Sequence, residues 1–401
     1  MVDELFTQAQ ERNIFTTGKL VALVALCFFS ISSNAVTNQE IINNLRSRIV
    51  SLEGERALIK SFDTHSQSYI YDQALAIITF TKSGDQKTAQ KLLRGLSSVQ
   101  KKDGSLYFSY NLDGTSPYPA EGDRRFAGAI SWVALAATHY QAEFHSKEFY
   151  SFNLKLLNWL RSEIKPFTIT GTHHQALRFG PADLSSSPWN ESETVALEHN
   201  LDAYSAYMHF ANINPAHEWK TEIEGIRKFI LAMWDKNRSH FWSGANLATG
   251  KINKEELYLD NQTWSLLALD LESLKEIDAH EALALNCEAL YVEHEGVSGF
   301  VDSKPTNGPK RFEFVWSEGT LGQILAMEKS GFDCGPKNSK ELLTSVRKMK
   351  KADGGIGYAT TTTNPDFTTS SSVAGTAWMY FASNNINPFT VIQSRSVAFR
   401  N

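Results

Sequence analysis

Two carboxylic acids four residues apart, Glu198 and Asp202, bracket His199 and Asn200 inside a segment that is otherwise apolar. Residues at that spacing share one face of a helix, and an ionised carboxylate buried without a partner is expensive. Such a cluster is therefore paired, lodged in a wet cavity, or used. Comparable sets open other apolar segments of the chain: Tyr71 and Asp72; Arg124 and Arg125, with Trp132 further in; Asp260, Asn261 and Trp264; Glu313, Trp316 and Glu318; Thr376 and Trp378. Glu318 sits in Ser317-Glu318-Gly319-Thr320, where Gly319 permits close approach by backbone or ligand.

Carboxyls drawn together from distant segments suit hydrolysis of a glycosidic bond. That reaction needs one protonated acid and one ionised base or nucleophile on opposite sides of the bond. On this expectation Glu318 is the acid and Glu198 or Asp72 its partner. Tyr71, Arg125, His199, Asn200, Asp202 and Asp260 would bind sugar hydroxyls. Trp132, Trp189, Tyr204, Trp264, Trp316 and Trp378 would stack on sugar rings. The same residues allow a different reaction, β-elimination from a uronate, with Tyr71 or His199 as base and Arg124 or Arg125 on the substrate carboxylate. The wealth of carboxylates argues against an anionic substrate. A third possibility is a glycan-binding or scaffold protein without catalysis. Structural uses compete throughout: first-turn acids favour the helix macrodipole and can cap N–H groups, and any single Trp can be core.

These residues need elements to position them. Helices with a half-buried pattern are expected near 39–60, 86–100, 147–164, 217–235, 279–293 and 338–350, as in Thr88-Ala-Gln-Lys-Leu-Leu-Arg-Gly-Leu96. Between them lie segments apolar around most of their circumference, near 68–83, 126–144, 196–213, 259–271, 314–330 and 371–384. A helix of that kind must be covered on most sides. Six enclosed helices alternating with six half-exposed ones predict an all-α fold, an (α/α)6 toroid with an inner and an outer ring. Links from inner to outer helix are short. Those from outer to inner are long, roughly 101–125, 165–195, 236–258, 294–313 and 351–370, a length more often functional than structural. They share one rim, where the Asp-Gly and Gly-Gly steps at 103–104 and 353–355 predict short β-hairpins.

Helix count, alternation and loop asymmetry, with phrases such as Tyr69-Ile-Tyr-Asp-Gln-Ala-Leu75, Glu198-His-Asn-Leu-Asp202 and Trp316-Ser-Glu-Gly-Thr320, make the chain similar to the six-hairpin glycosidases and polysaccharide lyases. The resemblance covers nearly everything after residue 38. It implies a polysaccharide or oligosaccharide substrate and carries no residue assignment. Terpenoid cyclases and prenyltransferases use similar helical toroids, but a DxDD-like signature is absent from this sequence.

Composition narrows the rest. The chain has 401 residues, 42% hydrophobic, with a formal charge of −5 and no basic block, so no nucleic-acid partner is expected. Lys19, the apolar run Leu20–Ile31 and Ser32-Ser33-Asn34-Ala35 form a signal-peptide pattern. The run is shorter than the ~20 residues of a membrane span. Residues 1–35 are thus expected to be a cleaved signal, 36–401 a single toroid, and the mature protein periplasmic or secreted, with no stable membrane span. Cleavage removes Cys27 and leaves Cys287 and Cys334, paired or separately buried. No HExxH, CxxC or EF-hand loop occurs, and no metal or organic cofactor is expected.

Overall fold

A computed structural model describes residues 36–115, 124–181, 190–335, 337–364 and 366–391. The proposed signal, Cys27 and Trp189 lie outside them. The described residues form thirteen α-helices and only short antiparallel strand pairs. In chain order the helices are α1 Asn38–Ser47, α2 Ile70–Lys82, α3 Gln86–Ser98, α4 Ala127–Phe144, α5 Tyr150–Glu163, α6 Leu197–Ile213, α7 Lys220–Ala232, α8 Leu259–Ala268, α9 Leu271–Leu274, α10 Ala279–Ala289, α11 Ser317–Ser330, α12 Ser339–Val346 and α13 Val373–Ser383.

Burial separates two rings. In α4 almost every residue from Ala127 to Tyr140 is buried, whereas α3 buries only the stripe Ala89, Leu92, Leu93, Gly95 and Leu96. The enclosed helices α2, α4, α6, α8, α11 and α13 pack each on the next, and α13 packs back on α2. The half-exposed α3, α5, α7, α10 and α12 lie outside them, and α1 closes the outer layer against α13. This is the expected (α/α)6 toroid.

One backbone bond recurs around the ring. A helix leaves its first N–H groups without intrahelical partners, and five of the six inner helices have no side-chain cap to meet them. Instead the first amide of each donates to a carbonyl on a neighbouring loop: Ile70 to Phe108, Ala127 to Phe179, Leu197 to Ser243, Leu259 to Asp302 and Ser317 to Tyr358, at 2.8–3.1 Å. Val373 donates to Ser61 at 2.9 Å, joining the last unit to the first. Short strands reinforce the links, as Gln67–Tyr69 on Ser109–Asn111 and Thr194–Ala196 on Gly244–Asn246. The long loops thus form a continuous collar on one rim and fix the inner helix N-termini relative to one another.

The expected helix over 39–60 is corrected. It stops at Ser47, and Ile49–Leu52 pairs with Arg56–Ile59 as a β-hairpin. Gly54 turns this hairpin in the left-handed region, at φ +71°, which breaks a helix and suits a tight turn. Gly95 on α3 has no side chain to hold the strand away, and a Cβ there would collide with the Ala57 carbonyl. Cys287 and Cys334 are joined in a disulfide that ties α10 to the loop after α11.

Candidate active site

The collar surrounds a cavity of about 1000 Å³ whose floor is made by the first turns of the inner helices. α2 contributes Tyr71 and Asp72, α4 Trp132, α6 Glu198, His199 and Asp202, α8 Asp260 and Trp264, and α11 Glu318, with Trp316 just before it. Four non-adjacent stretches of sequence therefore bring Asp72, Glu198, Asp202, Asp260 and Glu318 to one space. Asp302, from the loop before α11, joins them. Against these acids the lining holds one lysine, Lys251, among the described residues.

The carboxyls differ in depth and in partners. Glu318, Asp202 and Asp72 are 2%, 1% and 4% exposed, whereas Glu198 and Asp260 are half-buried and open on the cavity. Glu318 accepts a short hydrogen bond from the Tyr71 hydroxyl, which itself accepts from the Trp378 indole N–H at 3.1 Å. Burial raises the Glu318 carboxyl to about 8; the Tyr71 donor pulls against this, and Asp72 and Asp260 add to it. Burial lifts Glu198 well above the usual carboxylate range, and Asp260 and Glu318 push it further. Asp202 is likewise raised, by burial and then by Glu198, with the Trp132 indole pulling the other way. Asp260 reaches about 7 by burial, offset by the Asn261 N–H that donates to it at 2.6 Å. Asp72 also reaches about 7 by burial, with the Ser61 hydroxyl, the Arg48 guanidinium and the Ala374 N–H favouring its anion. Burial is the first cause of each shift, and neighbouring acids add to it at Glu198, Asp202, Asp260 and Glu318.

His199 lies flat on Phe179, ring centroids 4.0 Å apart, and burial lowers its imidazole to about 3, leaving it neutral. Gly128 on α4 makes room for it; a Cβ there would strike the His199 ring and come within 2.8 Å of Asp202 Oδ2. The wall beside His199 is an aromatic arc from the collar. Phe179 meets Phe126 at 4.9 Å, Phe126 meets Phe108 at 4.2 Å, and Phe108 meets Tyr69 at 4.9 Å. Phe62, Tyr358 and Phe367 extend it. The lining also includes the polar residues Asn246, Asn253, Glu255 and Tyr258.

Several expected binding residues stand elsewhere. Arg125 forms an ion pair with Asp103 at 2.9 Å, and Arg124 pairs with Glu191 at 3.3 Å. Asn200 is consumed by backbone: it accepts from Leu177 N–H and donates to the Leu177 and Ala196 carbonyls at 2.7–3.0 Å. Tyr204 is buried on the far side of α6, beside Asp270 and Ser273. Trp378 is fully buried beneath the cavity and acts on it through Tyr71. Conversely, Phe62, Phe108, Phe179, Tyr358, Phe367 and Asp302 carry no expectation from the sequence, since they lie outside the inner helices, where no helical period fixes a direction. One signal was readable: an aromatic residue, Tyr69, Phe126, Tyr258 or Trp316, stands immediately before four of the inner helices. Among the described residues no group of three or more His, Cys, Asp or Glu side chains is placed to hold a metal ion.

No family model matches the chain, and no curated protein matches its sequence. Solved structures do match. A sugar epimerase from a ruminal bacterium aligns over 87% of this chain and 99% of its own, at 11% identity and a TM-score of 0.65. A cellobiose 2-epimerase from Bacillus thermoamylovorans aligns over 86% and 99%, at 14% identity and a TM-score of 0.62. A glycosidase, solved as wild type and as glutamate-to-alanine and tyrosine-to-phenylalanine variants, aligns over 87–88% of this chain and 95–96% of its own, at 8–9% identity and a TM-score of 0.61. At these identities the likeness is one of fold: the chain has the six-hairpin (α/α)6 toroid architecture of these sugar epimerases and glycosidases.

Proposed function

We propose that this chain is a glycoside hydrolase acting on a polysaccharide or oligosaccharide, with Glu198 as general acid and Glu318 as general base. The observation that carries it is the convergence of Glu198, Glu318 and the Tyr71 hydroxyl on one aromatic-walled cavity. The roles reverse the sequence expectation for a physical reason. Tyr71 donates to Glu318 and so favours its anion, whereas among the described residues no such donor acts on Glu198, whose proton affinity is raised by burial and by neighbouring acids. Both carboxyls are raised by burial, and the Tyr71 donor, which acts on Glu318, is what assigns Glu318 as the base and Glu198 as the acid in this proposal.

In the proposed step Glu318, as carboxylate, takes a proton from a water molecule as the water oxygen bonds to the anomeric carbon. The glycosidic C–O bond breaks, and Glu198 gives its proton to the departing oxygen. Asp260, also open on the cavity, hydrogen-bonds sugar hydroxyls, and the aromatic arc stacks on ring faces. That solved proteins of this fold are described as glycosidases supports the reading, as does the choice of glutamate and tyrosine for substitution in one of them. Uronate elimination is disfavoured, because Arg124 and Arg125 are paired elsewhere and an anionic substrate would meet eight acids in the cavity lining.

A second reading, epimerisation at a reducing end, draws on the neutral His199 ring in the cavity and on the two epimerases of this fold. Incubation of the purified chain with a panel of neutral oligosaccharides separates the two. Hydrolysis releases new reducing ends, and epimerisation changes the sugar without releasing any. Export also belongs to this proposal, supported by the Lys19 to Ala35 pattern and the Cys287–Cys334 bond. A mature N-terminus at Val36 after expression in a secretion-competent host tests it.

A further inference from the structure

A turn at the opposite end of the ring reaches the underside of the cavity. Beyond α13, Asn387, Pro388, Phe389 and Thr390 form a tight turn: Phe389 N–H donates to Asn387 Oδ1 and Thr390 N–H to the Asn387 carbonyl, each at 3.1 Å. Three successive inner helices hold it near their C-terminal ends. His139 of α4 places Nε2 2.9 Å from the Pro388 carbonyl. His209 of α6 bonds to the Phe389 backbone. Asn387 donates to the Leu267 carbonyl of α8 at 2.8 Å. Phe389 is fully buried, and its ring stands 4.8 Å from Trp132 and 5.5 Å from Trp264.

Those tryptophans carry the contact upward. Trp264 stacks parallel to Trp378 at 5.8 Å, and Trp378 donates to the Tyr71 hydroxyl. Trp132 meets the Tyr71 ring edge-on at 5.5 Å. Tyr71 in turn donates to Glu318. A close-packed interior transmits the loss of one ring to its neighbours, because side chains there have few alternative rotamers. We infer that Phe389 is a positioning residue: by filling the space beside Trp132 and Trp264, which in turn contact Trp378, it holds the Tyr71 hydroxyl in register with Glu318. The inference rests on the roles proposed above for Tyr71 and Glu318.

Ordinary core packing is the competing account, and it would lower stability without touching the site. The two differ in the proton affinity of Glu318. The groups that face Glu318 are Tyr71 and Asp72 from α2, Glu198 and Asp202 from α6, Asp260 from α8, and Tyr358 from the loop before α13. Phe389→Ala changes the charge of none of them.

The test is a carbon-13 NMR titration of carboxyl-labelled glutamate in the full chain, with Glu318→Gln assigning the resonance. Phe389→Ala should raise the Glu318 midpoint by at least half a pH unit (a proton affinity about threefold higher), because a looser Tyr71 donor stabilises the anion less. Phe389→Leu, which keeps most of the volume, should give a smaller shift in the same direction. On a hydrolysed substrate, Phe389→Ala should lower kcat about tenfold with KM little changed. If Phe389→Ala does not fold, Phe389→Leu alone is read. A folded variant whose Glu318 titrates as in the wild type overturns the inference. The titration needs no substrate, so that result is distinct from a wild-type chain that hydrolyses nothing.

Discussion

The hydroxyl of Tyr71, on the first inner helix, donates to Glu318, on the fifth, across 247 positions of sequence. No local motif could create this bond. It exists because the six inner helices close on themselves and because loop carbonyls fix the start of each.

Loss of that donor should move the pH–rate profile. A hydrogen bond to a charged group contributes about 1.5–3 kcal/mol, and one pKa unit is about 1.4 kcal/mol. In the proposed mechanism Glu318 must be ionised to act as base, so hydrolysis should rise with pH towards the Glu318 midpoint, near 8. Tyr71→Phe should shift this ascending limb upward by about one to two units. An unchanged limb in kcat/KM would remove Tyr71 from the control of Glu318.

The clustered acids should make the fold less stable in alkali. Burial raises Glu318 to about 8 and Asp72 and Asp260 to about 7, so the folded chain binds these protons more tightly than the unfolded one. Stability from these groups is greatest below about pH 4, where both states are protonated. It falls as pH climbs to about 8 and levels off above. Glu318→Gln should therefore raise Tm at pH 8.5 more than at pH 5, in paired thermal melts. Equal shifts at both values would contradict the assignment of a raised proton affinity.

Gly128 should not tolerate a side chain. A methyl group there collides with the His199 ring, which cannot retreat because Phe179 is stacked behind it. Overpacking of this kind costs about 1–3 kcal/mol. Gly128→Ala should lower the unfolding free energy from denaturant titration by that amount and reduce activity through displaced Asp202. Wild-type values for both would mean that the α4–α6 contact is looser than drawn.

Reducing the Cys287–Cys334 bond should destabilise the chain without abolishing folding. The bond closes a loop of sequence separation 47, for which chain entropy suggests about 4 kcal/mol as an upper figure and less in practice. Melts of the Cys287→Ser, Cys334→Ser double variant, with and without reductant, should lie below the oxidised wild type and coincide with each other.

The fold was legible because burial writes itself into helical periodicity: α3 shows an apolar stripe and α4 is apolar all round. The first hairpin was not, since Ile49, Val50, Leu58 and Ile59 suit either structure, and Gly54 alone marks the turn. Within the site, helix geometry explains both the agreement and the misses. Asp202 follows Glu198 by about one turn and shares its face, whereas Asn200 lies about 200° around the helix and Tyr204 about 240°. Both therefore point into packing. Arg125 precedes its helix, where no period fixes its direction, and Asp103 captures it. Most of the aromatic arc belongs to loops whose positions depend on the closed collar, a property of the whole chain.

The most direct measurement is reducing-end release from a panel of neutral glycans by the wild type and by Glu318→Gln, with binding of the same glycan followed by tryptophan fluorescence. The proposed mechanism requires turnover to fall by ~10²–10⁴-fold while binding persists. Cleavage at the wild-type rate by Glu318→Gln would contradict it.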